Sequence, residues 1–191
     1  QMISISIGWK PRSIVVNEIM YAPSSPEPEW IELTSTISDS INLRGWKISD
    51  KTTSTRYTIT TADFWLRPNE FVVLTKDSSA LLDTHPNIQH LIQLSSMPTL
   101  NIDSDAVVVF DNRGLSIDSV FYFTAWGGKN GRSLERIEAT DSSNKATNWG
   151  TSVNPSRATP DAKNSLTPKD FDIVARSLFF TPTFPVIGNS I

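Results

Sequence analysis

The sequence predicts an all-β fold, an antiparallel sandwich, from three observations. Apolar and polar residues alternate over short segments such as EWIELT at 29 to 34 and GWKIS at 45 to 49, as in strands with one covered face. Turn residues separate these segments about every ten positions. Only residues 76 to 91 permit a helix, and Pro86 limits it to short turns. Together these features predict an immunoglobulin-like antiparallel β-sandwich.

The N-terminal third is expected to supply strands with one covered face. Residues 1 to 13 carry three isoleucines in alternation with serine, which predicts an edge strand. Strand-like VVNEIM at 15 to 20 and EWIELT flank a proline-rich turn. In the second of these, Ile31 and Leu33 lie on one face by parity.

The middle of the chain is expected to supply the most buried strands. FVVLT at 71 to 75 and AVVVF at 106 to 110 are almost continuous apolar runs, typical of strands covered on both faces or central in a sandwich. Between AVVVF and LSIDSVFYF stands DNRG at 111 to 114, which predicts a hairpin with Gly114 in a left-handed conformation.

Large aromatic residues are expected to fill the core, because the chain has no cysteine and cannot use a disulfide. Trp30, Trp46 and Trp149 are predicted to pack in the core or at its rim rather than to contact a ligand. The absence of cysteine also excludes Cys-ligated zinc and thiol catalysis.

Charge and hydropathy exclude several functions. The formal net charge is -3 and the 17 Lys and Arg residues are scattered, so neither nucleic acid nor an anionic membrane surface is an expected partner. No apolar run approaches the roughly 18 residues that a membrane-spanning helix needs, so membrane insertion is not expected.

Catalytic motifs are also missing. His85 and His90, the only histidines, are expected at the surface, and neither lies in an HExxH pattern. No GxSxG sequence is present. The sequence therefore predicts that the chain is not an enzyme.

Glutamates around the first turn are the best candidates for a polar binding site. Glu18, Glu29 and Glu32 stand on or beside neighbouring strands and could converge on a hard cation such as Ca²⁺ or on a cationic group of a partner protein. Glu27, between two prolines, is expected to be solvated.

A structural role is the alternative for these carboxylates. By parity Glu32 faces away from Ile31 and Leu33, hence outward, where it could pair across strands with Arg136 or Lys47. Structural pairing, a protein-binding patch and a metal site all remain open, and no bound cofactor is predicted.

Trp126 and Trp65 are the candidate aromatic platforms. An exposed indole ring can stack on a sugar. They support the hypothesis of a carbohydrate-binding module.

A series of motifs in one order resembles the bacterial lamin-tail domains, which are immunoglobulin-like sandwiches. The motifs are VVNEIMYAPSSPEPEWIEL at 15 to 33, NLRGWKISD at 42 to 50, LRPNEFVVLTKD at 66 to 77, SLERI at 133 to 137, NW at 148 to 149 and ATPDAKNS at 158 to 165. The last motif departs from the family pattern, because Asp161 stands where a glycine is usual.

The resemblance implies a domain over residues 14 to 165, preceded by the segment 1 to 13. Residues 166 to 191 resemble a linker and the first strand of an immunoglobulin-like cell-surface repeat, which implies a second, truncated domain.

Bacterial members of this family look like accessory modules of secreted or surface proteins. We therefore expect a non-catalytic interaction or spacer module in the bacterial envelope or outside the cell, with a protein or a cell-surface glycan as partner. The alternative is a carbohydrate- or divalent-cation-binding accessory module attached to a hydrolase.

Overall fold

In the part of the chain that the structure describes, twelve short strands and one short α-helix make up the fold. The computed structural model describes residues 8 to 168. In chain order the strands are β1 (Ile14–Met20), β2 (Trp30–Ser35), β3 (Ile41–Asn42), β4 (Lys47–Ser49), β5 (Tyr57–Thr58), β6 (Trp65–Leu66), β7 (Phe71–Thr75), β8 (Leu91–Gln93), β9 (Ser104–Phe110), β10 (Ser116–Phe123), β11 (Leu134–Arg136) and β12 (Trp149–Thr151). Helix α1 (Ser78–Thr84) lies between β7 and β8.

Two main sheets pack face to face. One has six strands in the order β12-β11-β1-β2-β7-β8, and the other has four in the order β10-β9-β4-β5. All pairs within them are antiparallel except β7 with β8, which is parallel. β3 and β6 form a separate two-stranded ribbon. The predicted immunoglobulin-like all-β sandwich is confirmed.

The main core lies between the two sheets and is formed by the side chains on the inner face of each sheet. β1, β2 and β7 contribute alternate aliphatic residues from one sheet, and β4, β9 and β10 contribute them from the other. Trp46 and Trp149 are buried in this core, whereas Trp30 is buried on the opposite side of the six-stranded sheet. All three tryptophans are therefore buried, as the sequence predicted.

A β-bulge in β1 decides which side chains reach the core. The register of β1 against β2 shifts between Val16 and Glu18, so Asn17 is the extra residue. Val16 and Ile19 therefore both face the main core, although strict alternation would have turned Glu18 inward instead. The bulge places Glu18 on the outer face of the sheet.

That outer face is covered as well. Met20, Trp30 and Val73 form a second apolar cluster with Leu81 of α1 and Ala158. We call residues 157 to 168 the C-terminal cover. Together with α1, the C-terminal cover forms a third layer on the six-stranded sheet. Every residue of β2 is consequently buried, so the prediction of a strand with only one covered face was wrong.

The β9–β10 hairpin has the predicted turn. Gly114 adopts φ +84° and donates its N–H to the carbonyl of Asp111, and the register shifts between Ser116 and Asp118. A left-handed glycine beside a bulge is the usual solution for a loop of this length. The predicted burial of AVVVF is also confirmed, because Ala106, Val107, Val108, Val109 and Phe110 are all buried.

The free edge of β10 is blocked by one side chain. Asn144 accepts a hydrogen bond from the N–H of Phe121 at 2.7 Å and donates one to the carbonyl of Ser119 at 2.9 Å. The side chain therefore takes the place of a neighbouring strand. Such blocking matters because unpaired edges invite pairing with another chain.

The ends of the chain are only partly described. Residues 8 to 13 contain a turn, and Arg12 donates its N–H to the carbonyl of Ile117. The predicted edge strand depends on Ile3, Ile5 and Ile7, which are not among the described residues, so it stays a prediction. Residues 1 to 7, and the predicted second domain apart from residues 166 to 168, lie outside the described residues. Within residues 8 to 168, no helix has the length and apolar character needed to cross a membrane.

Replacing Asn144 by alanine should promote self-association. The change leaves two edge groups of β10 unpaired beside the exposed Phe121 and Phe123, while the loss of two exposed hydrogen bonds should cost only about 1–2 kcal/mol of unfolding free energy. Sedimentation velocity at rising concentration should show dimers or larger species. Asn87→Ala, at an exposed loop position, is the control, and equal sedimentation of both variants would contradict the blocking role.

Candidate functional site

Three glutamates stand side by side on the outer face of the six-stranded sheet. Glu18 of β1 lies directly opposite Glu32 of β2 on one side and Glu135 of β11 on the other. All three are fully buried. We call Glu18, Glu32 and Glu135 the glutamate row.

The C-terminal cover supplies most of the hydrogen-bond donors for the row, and Ser133 and Asn17 supply the others. Thr159 donates its backbone N–H to Glu18 at 2.9 Å, and Asp161 donates its N–H to Glu32 at 2.6 Å. At the third glutamate the donors are the N–H of Leu166 at 3.0 Å and a serine hydroxyl. Each carboxyl is therefore tied to a different point of the cover.

Two asparagines close the cover over the bulge. Asn17 donates to Oε1 of Glu32 at 2.8 Å and to Oδ1 of Asn164 at 3.0 Å. Asn164 donates in return to the carbonyls of Asn17 at 3.0 Å and Arg136 at 2.8 Å. The residue that makes the bulge therefore also holds the last part of the fold.

Burial without a cation favours the protonated form of Glu18 and Glu32. Burial and, to a smaller extent, the neighbouring Glu135 raise the pKa of Glu18 to about 8, against the opposing hydrogen bonds of Ser133 and Thr159. Burial followed by the charge of Glu18 raises the pKa of Glu32 well above its ordinary value. Within residues 8 to 168, no member of the row has an ion pair.

The hydrogen-bond geometry fits a protonated Glu18. The hydroxyl oxygen of Thr159 lies 2.9 Å from Oε2 of Glu18 and 3.0 Å from Oε1 of Glu135. One hydroxyl has one proton to donate. If it donates to Glu135, a proton on Glu18 completes the chain by donating to Thr159.

The sequence-predicted glutamates separate into two groups. Glu18 and Glu32 do converge, but Glu29 lies elsewhere and accepts the N–H of Leu100 at 3.1 Å; burial raises its pKa. The predicted outward Glu32 points away from the main core, yet the cover buries it completely. Its predicted pairing with Arg136 or Lys47 is wrong, because its partners are Asn17 and Asp161.

Arg136 joins the two sheets instead. It is buried, and its guanidinium donates to the carbonyl of Val16 at 2.6 Å, to Asp118 of β10 at 3.3 Å and to the hydroxyl of Ser143 at 3.0 Å. It also lies 4.6 Å from the ring centre of Trp149. Burial lowers the pKa of Arg136 to about 10, against the attraction of Asp118, so the side chain is charged at neutral pH.

Glu27 and His85, which the sequence predicts to be at the surface, lie buried beside α1. Glu27 is buried rather than solvated, and it accepts from the indole N–H of Trp30 at 2.9 Å. Its partner His85 is also largely buried, with Nε2 at 3.0 Å from Oε1 of Glu27. His90 is partly exposed and lies 2.9 Å from Asp161. Both histidines thus attach the α1 region to its surroundings.

Asp161 shows why a departure from the family pattern leaves the turn intact. Its φ is +60°, a conformation that glycine adopts freely and that aspartate tolerates better than most residues. Its carboxylate accepts the N–H groups of Gln89 at 2.7 Å and His90 at 3.0 Å. The aspartate therefore keeps the left-handed turn and adds a link to the loop before β8.

The described residues offer little support for a metal ion. Within residues 8 to 168, no group of three or more His, Asp or Glu side chains has an arrangement that could hold one. The row is fully supplied with protein donors. The expectation of Ca²⁺ binding stays a prediction.

The outer face of the four-stranded sheet carries two half-exposed phenylalanines, Phe121 and Phe123, beside apolar side chains that are buried. Ala106, Val108 and Phe110 form a separate cluster there, and Phe121 lies opposite Ala106. Phe121 and Phe123 are 49% and 50% exposed. We call this surface the aromatic face; its strand residues are Lys47, Ser49, Ser104, Ala106, Val108, Phe110, Ser119, Phe121 and Phe123.

The predicted aromatic platforms lie at different places. Trp126 is partly buried, packs against the main core and contacts Phe123 with 5.9 Å between ring centres. It therefore borders the aromatic face. Trp65 is 60% exposed on the small ribbon of β3 and β6.

A comparison with protein-family models shows which family the chain belongs to. The model of the lamin tail domain matches residues 10–124. The chain belongs to the lamin tail domain family. No curated protein matches the sequence.

Among solved structures, this lamin tail domain is similar to a DUF4876 family protein from Bacteroides thetaiotaomicron. The identity is 12%, the TM-score is 0.48, and the alignment covers 70% of this chain and 64% of that protein. The chain thus spans less than two thirds of the length of that protein.

Sequence reasoning missed Glu135 and the two exposed phenylalanines. Glu135 alternates with Leu134 in SLERI, so parity could have placed it on the same face as Glu32. VFYF at 120 to 123 likewise carries aromatic residues on both faces of a strand. No local signal indicates that residues 157 to 168 cover Glu18 and Glu32, because those contacts link residues more than a hundred positions apart.

Replacing Glu18 by glutamine should remove part of the pH dependence of stability. A folded pKa raised to about 8 means that its contribution is complete below about pH 4.5 and is lost as the pH rises through 8. The slope is at most about 1.4 kcal/mol per pH unit for one proton. Urea unfolding at several pH values from 5 to 8.5 should show stability falling more steeply in wild type than in Glu18→Gln.

Glutamine can keep the same donors and acceptors at this position, so the two proteins should be about equally stable near pH 5. Asp83→Asn removes an exposed carboxylate and serves as the control. Parallel stability curves for wild type and Glu18→Gln would contradict the raised pKa.

Replacing Arg136 by methionine should strongly destabilise the domain. Asp118 would remain buried without its cation, which typically costs about 3–5 kcal/mol. Arg44→Met is the matched control, because the exposed Arg44–Asp63 pair should contribute less than about 1 kcal/mol. Urea unfolding measures both, and the double variant Asp118→Asn, Arg136→Met should recover part of the loss; equal losses for Arg136→Met and Arg44→Met would refute the sheet-joining role.

Proposed function

We propose that this lamin tail domain is a non-catalytic interaction module of a secreted or cell-surface multidomain protein, and that it binds its partner through the aromatic face. The observation that carries the proposal is the pair Phe121 and Phe123, half exposed on adjacent outward positions of β10. With Trp126 beside them, they form the kind of aromatic cluster that dominates binding energy in protein interfaces.

The state of the buried polar groups supports a binding role over a catalytic one. The carboxyls of the glutamate row accept hydrogen bonds from the C-terminal cover. Arg136 donates hydrogen bonds to a carbonyl, a carboxylate and a hydroxyl. Groups with saturated hydrogen bonds in a packed interior stabilise the fold and offer no open position for a substrate. The secreted or surface location is part of the proposal and rests on the family resemblance.

Carbohydrate binding is the second candidate. The observation that favours it is Trp65, whose ring is 60% exposed on the two-stranded ribbon and could stack on a sugar. A glycan array probed with the chain and with Trp65→Ala tests it. Loss of a glycan signal in the variant would support a sugar site, and identical arrays would remove it.

Photo-cross-linking tests the main proposal. Benzoyl-phenylalanine at position 121, in the full-length protein in the cells that make it, should give an adduct of defined mass on ultraviolet irradiation. The control is the same residue at position 153, where Val153 is 66% exposed away from the aromatic face. Equal yields at both positions, or no adduct at 121, would argue against this face as the binding surface.

A further inference from the structure

The aromatic face carries positive charge at the end opposite to its exposed phenylalanines. Lys47 of β4 lies directly opposite Phe110 in the sheet, and the guanidinium of Arg56 lies 3.8 Å from the centre of the Phe110 ring. Phe123 lies opposite Ser104 at the other end of β9. The two cations and the exposed ring are thus at the two ends of one strand.

These cations are not neutralised within the described part of the chain. Neither Lys47 nor Arg56 takes part in an ion pair there. Arg56 donates only to the carbonyls of Thr53 and Gly114. The strand residues of the aromatic face include no aspartate or glutamate.

The separation of the two ends fits a short extended segment. From Ser104 to Phe110 the strand advances six residues, which is about 20 Å at 3.3 Å per residue. An extended peptide of similar length would place side chains at both ends at once. Apolar contact at one end and carboxylates at the other would complement the face.

We propose that the aromatic face binds an extended segment of a partner protein, with aromatic or aliphatic side chains against Phe121 and Phe123 and with aspartates or glutamates near Lys47 and Arg56. This inference rests on the proposed function and names the chemistry of the partner. A polyphosphate or an anionic membrane fits less well, because two cations on a chain of net charge -3 give no extended basic field.

Selection from a phage library of random 12-residue peptides tests the partner chemistry. The chain is the bait, and peptides that also bind Phe121→Ser, Phe123→Ser are discarded. The remaining peptides should contain at least twice the Asp and Glu content of the unselected library, together with an aromatic or aliphatic cluster. Thermal unfolding followed by circular dichroism establishes that the variant is folded.

Charge variants then measure the electrostatic contribution to peptide binding. Synthetic versions of the selected peptides should bind Lys47→Glu about tenfold more weakly than wild type, with Arg56→Gln as a second variant. Lys76→Glu makes the same charge change at an exposed position beyond the end of β7 and should bind normally. Binding should also weaken as salt rises.

The outcomes distinguish this inference from the proposed function. Peptides that depend on Phe121 and Phe123 but show no acidic excess would overturn the partner chemistry and leave the binding face in place. No dependent peptide would overturn the inference, while cross-linking at position 121 would still decide the proposed function. Stronger Lys47-dependent binding to phosphatidylserine vesicles than to any selected peptide would assign the face to lipid and overturn the inference.

Discussion

The bulge at Asn17 is the constraint on which the rest of the structure depends. Without the extra residue, Glu18 would enter the aliphatic core between the sheets, where a carboxyl without partners costs several kcal/mol. With it, Val16 and Ile19 both reach the core and Glu18 joins Glu32 and Glu135 on the outer face. Three adjacent carboxyls then require donors that the sheet cannot supply, because its backbone groups are already paired.

The C-terminal cover meets that requirement with backbone N–H groups and hydroxyls rather than with cations. A lysine or arginine brought there would lose its hydration, and the ion pair gained would offset that cost only with excellent geometry. Glu18 and Glu32, whose pKa values burial raises, avoid most of this penalty in the protonated form. Arg136, the one buried arginine among residues 8 to 168, lies where the two sheets meet, and there its charge is matched by Asp118.

Local pattern was enough to predict the sandwich, the burial of FVVLT and AVVVF and the Gly114 hairpin, because each depends on alternation or on a turn residue. The same alternation correctly placed Glu32 on the opposite face from Ile31 and Leu33. Alternation predicts the face on which a side chain lies, but it does not predict whether that face is exposed to solvent. Whether the face that carries Glu32 is exposed to solvent depends on residues 157 to 168. The burial of Glu27 and His85 depends in the same way on α1 packing against a distant turn.

The order of synthesis gives the glutamate row a further consequence. Asn17 and Asn164, which bond to each other, are separated by 147 positions, so β1 and β2 leave the ribosome long before the segment that satisfies their carboxyls. Until then these side chains are hydrated and ionised, and mutual repulsion opposes the early pairing of β1 with β2. Closure of the nascent domain therefore coincides with proton uptake late in folding, and its speed should reflect the high sequence separation of these contacts.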